Sequence, residues 1–218
     1  MFPLPNITVD QVLEWKKSKK SKSTPLEGLT ELRRQLRGRD QIFLVDDSRS
    51  MRDNYPMQVI RTAKALMHLV KDKDIDPDGI ELRIASRPDL CFKSYQVWGR
   101  KRATTGLVDT VRKYMEDSDA TTCNMERVLN EVISHAVRRG RQTSIFILTD
   151  GVWEANDKPG GGVENSIETL ASIMRRRGLT RTHFGLQFVQ FGKEEVGTSR
   201  MRYLDNELSK EGGVLQNL

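Results

Sequence analysis

The chain has 218 residues, 30% of them charged, and a formal net charge of +6. That length suits one α/β domain with a modest extension and is enough to bury a sizeable core. No apolar run approaches the ~20 residues of a membrane span, and two cysteines, Cys91 and Cys123, make no disulfide framework. The start, Met1-Phe2-Pro3-Leu4-Pro5, has neither the charged nor the apolar region of a secretory signal, so an intracellular, cytoplasmic protein with reduced thiols is expected. Basic runs occur at Lys16 to Lys22, Arg33 to Arg39, Arg100-Lys101-Arg102 and Arg175-Arg176-Arg177. The first has only Trp15 beside it and no nucleic-acid motif, so these runs predict solvated surface or weak anionic contact, with no specific nucleic acid bound.

Residues 1 to about 24 read as an appendage, because the Lys/Ser run cannot bury enough apolar surface to offset its ordering entropy. Val9 to Trp15 has room for a short helix. Thr24-Pro25 reads as a helix N-cap followed by proline, with Glu27 at capping-box spacing; Leu26, Leu29, Leu32 and Leu36 recur at helical spacing until Gly38. We therefore divide the chain into an extension, 1–37, and a domain, 38–218.

From Gln41 strands and helices alternate. Strands are expected at Gln41 to Val45, Ile80 to Ala85, Ser144 to Leu148 and His183 to Phe191, with a short edge strand at Cys91 to Val97 and a last one starting at Val214-Leu215. Helices are expected at Met57 to Val70, Leu107 to Met115, Met125 to Val137, Ile167 to Arg177 and Ser199 to Leu208. Gly160-Gly161-Gly162 reads as a mobile loop, and no phosphate-loop lysine follows it. The pattern predicts an α/β fold: a Rossmann-like, doubly wound, mostly parallel sheet of about six strands, one of them a short antiparallel edge, with helices on both faces. Ligands of such sheets bind beyond the carboxyl ends of the strands.

Two such ends carry chemistry. Asp46-Asp47-Ser48-Arg49-Ser50 follows the first strand, and Thr149-Asp150-Gly151 follows the strand ending at Leu148. Carboxylates and hydroxyls without a suitably spaced His or Cys suit a hard cation such as Mg²⁺ or Ca²⁺, and Mn²⁺ also fits; zinc would want nitrogen or sulfur. Asp and Ser after a strand are equally what a plain helix N-cap looks like. The second segment, following another buried strand, favours a site over a cap. His68, His135 and His183 are not paired at ligand spacing, both cysteines read as thiols without a redox role, and Trp98 and Trp153 read as core or loop anchors, Trp153 with a possible place on the ligand face.

At these residues the sequence resembles a known family. Phe43 to Met51 is similar to the metal-ion-dependent adhesion site motif, Asp-x-Ser-x-Ser, of von Willebrand factor type A domains, and Ile147 to Trp153 is similar to their Thr-Asp-Gly segment. The likeness, over roughly residues 38 to 216, is greatest to a branch common in fungal proteins, where segments like Asp76 to Leu82 and Gly185 to Gly192 recur. It implies that Asp46, Ser48, Ser50 and Asp150 are metal ligands, joined by a threonine from the loop Asp119 to Met125. Thr122 is our choice, although an ungapped register puts Cys123 there. Arg49 stands where a small residue is usual. The chain stops soon after the last expected strand, where the family continues into a final helix, so a fragment or a shortened gene product is expected.

The function implied is a divalent-metal-dependent protein-binding module in an intracellular scaffold or complex, with Mg²⁺, Mn²⁺ or Ca²⁺ anchoring an acidic side chain of a protein partner. Oligomeric state is not legible. The alternatives are a metal-free structural domain and a phosphotransfer enzyme. The enzyme would need an aspartate two residues after Asp46, where Ser48 stands, or an acidic pair working with a lysine such as Lys193 and a phosphoacceptor that the sequence lacks.

Overall fold

The computed structural model describes residues 7–18, 26–71, 74–94, 103–154 and 159–207. In chain order the elements are α1 (Val9–Lys17), α2 (Leu29–Leu36), β1 (Asp40–Val45), α3 (Arg49–Asn54), α4 (Pro56–Val70), β2 (Glu81–Ile84), β3 (Arg87–Lys93), α5 (Ala103–Asp117), α6 (Met125–Arg139), β4 (Thr143–Thr149), α7 (Val163–Arg176), β5 (Phe184–Gln190) and α8 (Glu195–Arg202). The five strands form one sheet in the order β3-β2-β1-β4-β5. All pairs are parallel except β2 with β3. The expected strand at Val214-Leu215 lies outside the described residues, as do Thr24-Pro25 and Trp98.

The two central strands, β1 and β4, are buried at every position, as strands covered on both faces must be. Their side chains alternate between two cores. Phe43, Val45, Phe146 and Leu148 pack with helices α4 and α5, the rings of Phe43 and Phe146 stacked 4.9 Å apart. Ile42, Leu44, Ile145 and Ile147 pack with α6 and α7, through Val128, Leu129, Val132 and Leu170. Among the described residues no helix is long and apolar enough to cross a membrane.

Several expectations need correction. Helix α2 begins at Leu29, after Gly28 with φ +73°, and so later than the proposed Thr24 cap. Strand β3 begins at Arg87, four residues before the expected Cys91 start, because a two-residue turn at Ala85-Ser86 folds it straight back along β2. Helix α8 begins at Glu195 and gives way to a π-turn at Tyr203–Glu207. The glycines Gly160, Gly161 and Gly162 are buried, with Gly161 against the Trp153 indole, and do not form an exposed loop.

The helix expected in an appendage is docked. A capping box starts α1, Thr8 and Gln11 exchanging side-chain-to-backbone bonds, and Val12 is only 3% exposed in the core it shares with α4. The Trp15 ring lies 5.6 Å from that of His68 on α4. Burial, with Lys71, Lys16 and Arg33 nearby, pushes His68 down from 6.5 to about 3. The unfolded chain therefore binds this proton more readily than the folded one. The contribution to stability is complete above pH 6.5 and is lost as pH falls toward 3. His68→Phe should remove this part of the acid sensitivity. Urea midpoints of mutant and wild type should diverge in the mutant's favour as pH drops through that window, and a gap that stays constant with pH would contradict the assignment.

Candidate functional site

Parallel pairing of β1 with β4 in the register Val45↔Leu148 brings Asp46 and Asp150 out at the same edge of the sheet. The Asp46 N–H donates to the Leu148 carbonyl at 3.0 Å, so the ladder runs one residue past the strand end. Asp46 is fully buried. Its Oδ2 accepts from the Thr149 hydroxyl at 2.7 Å and its Oδ1 from the Ser48 N–H at 3.0 Å. Burial pushes its carboxyl up to about 6; bonds from Thr149 and from the backbone and hydroxyl of Ser48 oppose the rise, and the neighbouring Asp150 adds to it.

Ser48 occupies the N-cap position of α3, yet its hydroxyl caps no backbone N–H and faces Ser50 Oγ at 3.2 Å. The plain-cap explanation of Asp-x-Ser-x-Ser therefore lacks its defining bond. Asp150 is 1% exposed. Its Oδ1 accepts from the Val152 N–H at 2.8 Å, whereas Oδ2 is buried with no hydrogen-bond partner. An orphaned buried carboxylate oxygen is costly, and Asp40 and Glu164 also carry such oxygens.

Thr122 is not with these residues. It is exposed and its hydroxyl donates to Glu154. Cys123 takes the inward place, 3% exposed and close to Asp46. Burial first, then Asp46, Asp47 and Asp150, push its thiol well above the usual cysteine range. The loop backbone is pinned on both sides, Arg49 N–H to Thr121 O at 3.3 Å and Glu154 N–H to Cys123 O at 2.8 Å, with Thr122 exposed between them and Cys123 buried. The ungapped spacing to Met125 was the signal for this. Arg49 does not turn into the site: its side chain is 71% exposed and pairs with Asp53.

Sequence reasoning missed what holds Asp150. Arg200 of α8 donates to the carbonyls of Gly151 at 2.8 Å and Trp153 at 3.0 Å, and its guanidinium lies 5.5 Å from the centre of the Trp153 ring. Gly151, at φ +81°, touches Gly197 backbone to backbone. A Cβ on Gly197 would stand 2.0 Å from the Asp150 carbonyl oxygen. Gly197 lies in the unremarkable stretch Glu195-Val196-Gly197-Thr198, which gives no hint of this contact.

By chemical type the oxygens of Ser48, Ser50, Asp150 and Asp46 suit a hard divalent cation. The Cys123 sulfur is the departure. Among the described residues no three His, Cys, Asp or Glu side chains are gathered closely enough to hold an ion by themselves, so the serine hydroxyls are essential to any such set.

Fold and site together define a doubly wound α/β domain with an oxygen-lined position at the carboxyl edge of its sheet. The chain belongs to the von Willebrand factor type A domain family, whose pattern it matches over residues 40–202. Domains of this family generally mediate protein–protein interaction. No curated protein sequence matches the chain. Solved structures that resemble it include the manganese-loaded TRAP protein of Plasmodium vivax, 16% identical with a TM-score of 0.48, covering 77% of this chain and 62% of that one. Another is the human COPII-coat protein Sec24c, 11% identical with a TM-score of 0.42, covering 80% of this chain and 32% of that one. The chain thus spans less than two thirds of either.

Gly197→Ala should push α8 away from the Thr149-Asp150-Gly151 turn. The overpacking is expected to cost about 1–3 kcal/mol, read as a lowered urea midpoint. Gly197→Ala with wild-type stability would mean that the two backbones do not approach this closely.

Proposed function

We propose that the chain is a divalent-cation-dependent protein-binding module of the branch common in fungal proteins, working in an intracellular scaffold or complex. The observation that carries this reading is Asp150 Oδ2, buried and unpartnered. The supporting geometry is the pair of serine hydroxyls and the shared edge with Asp46. Mg²⁺ suits these oxygens, as do Mn²⁺ and Ca²⁺. When bound, the cation supplies an electrostatic anchor for an Asp or Glu carboxylate of a protein partner. Asp46, Ser48, Ser50 and Asp150 are the residues proposed to hold it. Cys123 stands beside them where Thr122 was expected.

Thr149 keeps Asp46 oriented, and the Val152 N–H fixes one oxygen of Asp150 while leaving the other free. The second reading, a metal-free structural domain, is favoured by two facts: both Asp46 oxygens already accept protein donors, and the thiol of Cys123 is a poor partner for a hard ion.

Two variants decide between the readings. Asp150→Ala should fold, because removing one of two close acids relieves repulsion in the metal-free protein, and should lose the Mg²⁺-dependent rise in melting temperature together with partner capture. Wild type that captures the same partners in excess chelator, or a mutant that is unfolded at ordinary temperature, would transfer support to the structural reading. Cys123→Thr exchanges sulfur for a hard oxygen donor and should tighten Mg²⁺ binding several-fold in a calorimetric titration. An unchanged affinity would place the 123 side chain outside the ion's reach.

A further inference from the structure

Asp47 is the acid of the Asp46-to-Ser50 loop that the proposed ion site does not use. It is 1% exposed, and its carboxylate reaches away from β4 toward the other side of the edge. Oδ1 accepts from the Ser86 N–H at 2.9 Å. Oδ2 accepts from the Ser86 hydroxyl at 2.5 Å and the Ser118 hydroxyl at 2.7 Å. Ser86 lies in the turn between β2 and β3, and Ser118 opens the loop between α5 and α6 that carries Cys123. Ser118 Oγ in turn accepts from the Ala120 N–H at 3.2 Å. Arg52 closes the circuit from α3, donating to the Asp47 carbonyl at 3.1 Å and the Ala120 carbonyl at 2.6 Å. Two segments far apart in sequence, the β2–β3 turn and the α5–α6 loop, are thus tied to one buried carboxylate.

We infer that Asp47 is the positioning residue of the site. Its carboxylate locks the β2–β3 turn and the α5–α6 loop onto the end of β1, and this lock sets where Cys123 stands relative to Ser48 and Ser50. The same turn and loop line a groove of about 610 Å³ beside the site, with Lys113, Tyr114 and Glu154 among its other residues, so the lock also holds that groove's shape. The inference rests on the cation-binding reading for its consequence, but not for the lock itself.

The test uses the whole chain and two readouts, Mn²⁺ affinity by calorimetry and amide hydrogen exchange. Ser118→Ala keeps the Asp47 charge and removes one arm of the lock. It should speed exchange over residues 118–122 while leaving β1 and β4 unchanged, and should weaken Mn²⁺ binding several-fold, because the released loop carries the Thr121 carbonyl that holds the Arg49 N–H between Ser48 and Ser50. Asp47→Ala should speed exchange at Ser86 as well. Asp47→Asn keeps an acceptor for the Ser86 N–H and offers its amide to the serine oxygens, so it should preserve loop protection. If Asp47→Ala fails to fold, Ser118→Ala carries the same prediction. Loops released with Mn²⁺ affinity unchanged would overturn the positioning role, and unchanged exchange in Ser118→Ala would overturn the lock. Wild type that binds no Mn²⁺ sinks the cation reading instead, and the lock then stands or falls on exchange alone.

Discussion

The hydrogen bond from Thr149 Oγ to Asp46 Oδ2 spans the two central strands at the point where their ladder ends. Everything around the candidate site depends on that junction. The strands are buried on both faces, so a slip of one residue would turn Phe43 and Phe146 out of one core and Ile42 and Ile145 into it. Register is therefore held by many apolar contacts, and it delivers Asp46 and Asp150 to the same place. The single polar bond then fixes which way Asp46 faces.

The buried acids around the sheet are met in two ways. At the amino end Glu81 is surrounded by Arg83 at 2.8 Å, Arg139 at 3.3 Å, His135 at 3.5 Å and Lys93 at 3.8 Å. Burial alone would raise its carboxyl, but Arg83 and the other cations outweigh this and hold it below its usual range. Asp40 is similarly paired with Arg139 and Arg141, although burial still leaves it raised. At the carboxyl end Asp46, Asp47 and Asp150 are met by hydroxyls and N–H groups, and Asp46 rises to about 6. At the amino end Asp76 is likewise buried, met by backbone N–H groups and raised to about 6, so what sets the carboxyl-end acids apart is their place on the edge where α/β sheets take their ligands.

The helix that follows the last parallel strand bears on the site as much as the acids do. Its glycine lets two backbones touch, and its Arg200 holds the carbonyls on either side of Val152. Asp150 is thus carried on a turn supported from below by β4 and from the side by α8. Arg200 is itself kept near Asp150 and Glu164, which offset the cost of burying its guanidinium.

The alternation of strand and helix, the double-faced burial of Ile42 to Val45 and Ile145 to Leu148, and the placement of Asp46 and Asp150 just after two parallel strands were legible in the sequence. Each rests on a local pattern or a short motif. The side chain that enters from the α5–α6 loop was only half legible: the ungapped spacing pointed to Cys123, the family pattern to a threonine, and in the fold Cys123 is buried while Thr122 is exposed and bonded to Glu154. Not legible at all were the docking of α1 through Val12, the closeness of Gly151 to Gly197, and the reach of Asp47 to Ser86 and Ser118. These join residues tens of positions apart through one contact each. A single contact leaves no periodicity in the chain; it exists only once the sheet has brought its partners together.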